Sequence, residues 1–387
     1  MLECAVQDRP DMTTIDPGVE VEASLDRSSV VAQAVMERYA VRTGLTGDLA
    51  SRRYLWTDAF AVCNFLGLGR PELALALVER VHHELGRHRA DDSRSGWISG
   101  AADADGEAHP TRGGLRIGKP LPERSAGAPF DDALEWERDG QYFHYLTKWM
   151  HALAQVARAT GDSRYERWAR ELAEAAYRGF VHPARGGRGI WWKVSIDLSR
   201  PLVASMGHHD PLDGYITGLE LEATARILGT AERGPALGAA IAAYRSMIDT
   251  HALASSDPLG IGGLLADASR LVQLGADPPL LDAVIAAAVV GLRAYASRSD
   301  LRQRAEHRLA FRELGLAIGL ADAASIDPAR FTPFVRLGQD IAAFWLEPAH
   351  RRVQTWIDHE DINEVMLATS LAPRGFLTLG AGAASRT

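Results

Sequence analysis

The chain has 387 residues, 47% of them hydrophobic, with 42 basic against 50 acidic side chains and a formal net charge of −8. That content supplies a large core, for one big toroid or barrel or for two to three average domains. The acidic balance excludes the basic stripe that a nucleic-acid interface needs, and no run of eighteen or more apolar residues is free of charges, so neither nucleic acid nor a membrane is an expected partner.

In chain order, residues 1–27 are polar, carry Pro10 and Pro17 and show no period, so a mobile tail is expected there. No basic region leads into an apolar one, so no signal peptide is expected. Cys4 and Cys63 do not make a disulfide framework, and a cytoplasmic location is the expectation. Helix then follows helix. "LWTDAFAVCNFLGLG" (55–69) is apolar or small on nearly every face, whereas "PELALALVERVHHELGRH" (71–88) is amphipathic. After a long connection over 90–139, Tyr142, Leu146, Trp149, Leu153 and Val156 form one stripe, and Tyr165, Trp168, Leu172 and Ala175 the next. Gly161 is placed to close the first of these helices, and Ser163 with Glu166 reads as a capping box for the second. A second long connection spans 182–211.

Asp-Pro recurs at 210–211, 257–258, 277–278 and 327–328, each time as a helix-start signal with a capping carboxylate and a preset φ. Two more helices that are apolar on nearly every face, "LGIGGLLADASRLVQLG" (259–275) and "LAFRELGLAIGLADAA" (309–324), follow. Buried helices alternating with striped ones, about twelve in all, predict an all-α (α/α)6 toroid of two concentric rings. The alternatives are an open superhelix or a pair of bundles, but no exact repeat of 34 or 40 residues is present. The toroid would be a single domain over 28–375, with 376–387 a second tail.

Candidate chemistry clusters where buried helices begin. In "VASMGHHDPLDGYITGLELEA", Asp210 reads first as a cap and Asp213 as a first-turn carboxylate, while His208 and His209 are not needed for the helix. In "DDALEWERDGQYFHYLTKW", Glu135 and Trp136 precede Tyr142 and His144, the mixture of acids and rings that a carbohydrate site uses. Asp58 is a lone carboxylate in an apolar run, where it either caps the helix or faces the hollow as a general acid. Trp192 offers a stacking platform, and His307 with Arg308 and Trp356 with His359 stand near the starts of the last two buried helices. No metal-ligand spacing, phosphate loop or nucleophile elbow is present, so no metal or cofactor is expected.

With these clusters and the buried helices in view, residues 28–375 resemble the six-hairpin glycosidase-like (α/α)6 superfamily, which includes unsaturated-uronyl hydrolases and N-acylglucosamine 2-epimerase-like proteins. Arg53 and Trp56 in "RRYLWTDAF" resemble a second-helix motif of the epimerases, whose functional arginine falls at Phe60 here. "WIDHEDINE" resembles a motif near their end, which would make His359 a proton-transfer residue. Three readings follow. In the first, a hydrolase of a small glycoside uses Asp58, Glu135 and Asp213 as acid–base groups, with Trp56, Trp136, Trp192, His208 and His209 positioning the sugar. In the second, a sugar epimerase or isomerase uses His209, His307 and His359. In the third, a toroid binds a ligand without turnover. Oligomeric state stays open.

Overall fold

The computed structural model describes residues 17–297 and 299–380, with side chains from Arg27 onward except at 299 and 300. Cys4 and most of the two expected tails, residues 1–16 and 381–387, lie outside the described residues.

Twelve of the helices among the described residues build the scaffold. They are α1 (Pro17–Arg42), α2 (Leu55–Gly67), α3 (Pro71–Leu85), α4 (Phe143–Thr160), α5 (Ser163–Phe180) and α6 (Asp210–Ile227), then α7 (Gly238–Met247), α8 (Pro258–Leu274), α9 (Pro278–Ala296), α10 (Ala310–Ile326), α11 (Val335–Leu346) and α12 (Glu360–Leu371). The even-numbered helices pack in order around a closed inner ring, α2 on α4, α4 on α6, α6 on α8, α8 on α10, α10 on α12 and α12 back on α2. The odd-numbered helices form the outer ring, each against an inner neighbour, and α1 closes the circle by lying on α12. The apolar-all-round segments read from the sequence are the inner helices α2, α8 and α10, and the amphipathic one is the outer helix α3. Helix α9 is long and apolar enough by length and composition to cross a membrane; here it packs on α8 with half of that window buried.

Local signals place the boundaries. Gly161 ends α4 at φ 73°, a left-handed cap that favours glycine. The cap of α5 is Asp162, whose carboxylate accepts from the Arg164 N–H, and not Ser163. Glu166 is turned inward to Arg170 and Thr230 instead. Asp257 and Asp277 stand at the N-caps of α8 and α9, and Asp327 caps the short helix Pro328–Phe331. The register is shifted by one at α6, where His209 is the N-cap and Asp210 the first helical residue.

Two corrections concern the tails. Helix α1 begins at Pro17, inside the stretch read as a tail. At the other end Phe376 and Leu377 are buried, and Phe376 stacks on Phe60 at 4.2 Å between centroids. The long connections are also not plain loops. They carry a three-stranded antiparallel sheet, β1 (Gln141–Tyr142), β4 (Lys193–Val194) and β5 (Pro201–Val203), with Tyr142 opposite Lys193 and Lys193 opposite Val203. Strands β2 (Val181–Ala184) and β3 (Gly187–Ile190) form a separate antiparallel hairpin.

Candidate active site in the central cavity

The inner helices enclose a cavity of about 290 Å³, open at the end where several of them begin. One wall is aromatic, from Trp56 and Phe60 of α2, His144 of α4, Trp192 of the loop before β4 and Phe376. The same cavity is lined by Asp210 and Asp213 of α6 with Asp257, Asp267 and Arg270, and by Lys148 of α4. Gly260, Gly262 and Gly263 of α8 line the same space, and a Cβ on Gly263 would meet nothing within 4 Å.

The two α6 carboxylates sit three residues apart at one helix start, on neighbouring positions of one face. Their environments differ. Asp213 is met by the Lys148 ammonium at 2.7 Å and by Arg270 at 3.5 Å. Burial opposes its charge, but these two cations outweigh that and hold its carboxyl below the usual range. Among the described residues Asp210 accepts one hydrogen bond, from the Gly207 N–H at 2.9 Å, and makes no ion pair. Burial, reinforced by the negative charge of Asp213, pushes its carboxyl up to about 7. The backbone enforces this packing, because a Cβ on Gly207 would meet the Asp210 carboxylate at 2.4 Å. Arg270 ties the floor together. It reaches Asp267 at 2.5 Å and Glu220 at 3.3 Å, and Glu220 in turn meets His151 at 2.9 Å.

Two histidines on the cavity wall are held neutral. Burial lowers His144 to about 4, and its Nδ1 accepts from the Trp192 indole N–H at 3.2 Å, an arrangement that needs that nitrogen unprotonated. Burial also lowers His209, whose Nε2–H donates to the Leu253 carbonyl at 2.8 Å. His208 is exposed at the mouth with its ring 4.6 Å from that of His209.

The structure therefore sorts the expected site residues. Asp213, His209, Trp56, His144, Trp192 and His208 line the cavity. Asp58 does not. It is fully buried, paired with Arg53 at 3.2 Å, hydrogen-bonded by Tyr39 and accepting from the Tyr54 N–H at 2.9 Å, so it anchors the start of α2. Glu135 is also an anchor, held by Arg124 at 2.9 Å and Lys193 at 3.0 Å. Trp136 and Tyr142 lie on a separate hollow at the rim, which Trp192 shares. His307 and His359 are exposed and line no part of the cavity, His359 standing 5.7 Å from the Phe311 ring. Arg308 is buried against Glu313 and over the Phe344 ring, and Trp356 stacks on Trp345 in the core. The cavity residues that sequence reasoning missed are Lys148, Asp267 and Arg270, together with the raised carboxyl of Asp210. An Asp and an Arg three apart inside an apolar helix, as at 267 and 270, were the available signal, because buried charges come in partnered sets. Among the described residues no group of three or more His, Cys, Asp or Glu stands together as a metal site.

No protein-family model and no curated protein sequence matches the chain. Solved structures do. An α-mannanase of glycoside hydrolase family 76 from Bacteroides thetaiotaomicron matches with a TM-score of 0.53 at 10% identity, over 93% of this chain and 99% of its own. A family 76 glycoside hydrolase from a bovine strain of that species gives 0.52 at 11%, over 90% of this chain and 77% of its own. The fold is that of the six-hairpin glycosidase-like (α/α)6 toroids. A cellobiose 2-epimerase from Spirochaeta thermophila, at 14% identity, covers 92% of this chain and 98% of its own with a TM-score of 0.48. With the two family 76 proteins the toroid is shared, while the chemistry rests on this chain's own cavity.

Proposed function

We propose that the protein is a glycoside hydrolase whose reaction takes place over Asp210 and Asp213. The observation that carries this reading is the split ionisation of two neighbouring carboxyls in one aromatic-walled cavity, Asp210 raised to about 7 and Asp213 lowered. Groups pushed apart in this way are matched to the roles of acid and base. The two family 76 glycoside hydrolases among the structural neighbours support it. The sugar lies against the aromatic wall of Trp56, Phe60 and Trp192. Protonated Asp210 gives its proton to the glycosidic oxygen as the bond to the anomeric carbon breaks. Ionised Asp213 stabilises the positive charge that develops and takes a proton from the attacking water, which returns to Asp210 to complete the cycle. Lys148 and Arg270 keep Asp213 ionised until it takes that proton.

A second reading is favoured by the neutral His144 and His209 on the same cavity, the arrangement a sugar isomerase would use for proton transfer beside a carbonyl. The set His209, His307 and His359 cannot serve it, since only His209 reaches the cavity. Proton NMR in D2O, with aryl glycosides, oligosaccharides and free sugars, separates the readings. New anomeric signals from a cleaved glycoside are expected. Deuterium at C2 of a free sugar would move the assignment to the histidines. Silence on both, with a sugar-induced rise in melting temperature, would leave a binding protein.

A further inference from the structure

The aromatic lining continues beyond the cavity. Trp192 also walls a hollow of about 20 Å³, room for about one water, with Asp132, Glu135, Trp136, Tyr142 and Val203. Ring contacts run unbroken from His144 to Tyr142 at 5.5 Å between centroids, to Trp192 at 5.8 Å and on to Trp136 at 4.8 Å. The last ring of this series is 43% exposed.

A single exposed indole is ordinary, but the backbone that carries this one is clamped. Trp136 sits in the short helix Asp132–Glu137, capped by Asp131 accepting from the Leu134 N–H at 3.0 Å. The residue before it, Glu135, is pinned by Arg124 and Lys193. The Lys193 ammonium, fully buried, also donates to the carbonyls of Glu135 at 2.6 Å and Arg138 at 2.8 Å, so it clamps both ends of the turn. Burying an ammonium is unfavourable unless its donors are satisfied, and here three acceptors satisfy them. The network fixes the backbone beneath Trp136 and leaves its ring facing outward. The edge-to-face contact with Trp192 at 4.8 Å restrains the ring further, and a restrained ring loses less entropy when a ligand stacks on it.

We propose that the exposed Trp136 ring beside this hollow is a second sugar subsite, on whose surface a neighbouring unit of the same oligosaccharide stacks, next to Trp192, and shares its hydroxyls with Asp132. The ligand is then an oligosaccharide of at least two units and not a simple glycoside. The inference rests on the hydrolase reading only in that the cavity holds the first sugar.

Calorimetric titration tests it, with α- and β-linked gluco- and manno-oligosaccharides of one to four units and the Asp210→Asn protein to prevent turnover. The readout is the affinity for the longer ligands relative to the single unit. Adding Trp136→Ala is expected to lower that ratio about tenfold, and Trp136→Phe to restore most of it. A ratio unchanged by Trp136→Ala overturns the subsite and leaves the cavity assignment standing. Failure of every ligand, short or long, to bind overturns both.

Discussion

Asp210 shows how one side chain's surroundings decide its use. Read along the chain it is a helix cap, but the register moves it one position inward, where a cap's solvent is replaced by Asp213 and apolar walls. A general acid must carry its proton, so with Asp210 at about 7 the hydrolytic rate is expected to fall as pH rises through 7. The same shift has a stability consequence of opposite use. Its folded value lies above the unfolded one, so the contribution is full below about pH 4 and is lost as pH rises through 7. The loss amounts to about 4 kcal/mol at most. Asp210→Asn is therefore expected to slow hydrolysis of unactivated glycosides yet raise the melting temperature at pH 8.5, with far less change at pH 4. Thermal melts at both pH values check this, and a lowered melting temperature at pH 8.5 contradicts it. Sequence could name Asp213 and His209 because they lie beside an obvious helix start. It could not separate Asp58 from Asp213, since both are acids in apolar runs and only the direction of the side chain distinguishes an anchor from a reactant.

At the level of elements, charge and small residues are placed where helices must cross closely. Arg270 of α8 holds Asp213, Asp267 and Glu220 from two helices. Arg270→Gln leaves buried carboxylates without their cation, and a loss of about 3–5 kcal/mol is expected in urea unfolding. Glycines on α8 divide sharply. A Cβ on Gly262 would meet the Gly315 carbonyl oxygen at 2.1 Å, whereas one on Gly263 meets nothing within 4 Å. Gly262→Ala is expected to destabilise by about 1–3 kcal/mol or more through overpacking, and Gly263→Ala to stabilise by up to about 1 kcal/mol through helix propensity. Comparable unfolding midpoints for the two variants would show that the α8–α10 contact is not tight. The helices themselves were legible, because apolar-all-round and striped segments alternate along the chain. The three-stranded sheet was not, since strands of two or three residues leave no period to detect.

For the whole molecule, the ring needs a floor as well as a wall, and the segment after α12 supplies it. Phe376 lines the cavity, and its carbonyl meets the His151 ring at 3.0 Å. Gln155 of α4 donates to the carbonyls of Gly375 at 3.0 Å and Thr378 at 2.8 Å, and Gln273 of α8 donates to Leu377 at 2.8 Å. Gly375 lies so near α2 that a Cβ on it would meet the Cys63 carbonyl oxygen at 2.3 Å. A chain ending at Pro373 is expected to melt at lower temperature and to lose sugar binding, measured by calorimetry. Retention of full affinity would show that the segment is not the floor. Composition marked this stretch as a tail, because a short Gly-rich segment reads as solvated until its partners on three other helices are known.

The most direct test of the central claim compares glycosides with poor and good leaving groups. Native protein and Asp210→Asn would be assayed on an unactivated disaccharide and on the matching 2,4-dinitrophenyl glycoside, across pH 5 to 9. An acid that protonates the leaving oxygen matters only where that oxygen leaves poorly. The account predicts a loss of about 10²–10⁴-fold on the disaccharide and little loss on the dinitrophenyl glycoside. It also predicts that the fall in rate above pH 7 disappears in the variant. Equal losses on both substrates, or an unchanged pH profile, would contradict Asp210 as the acid.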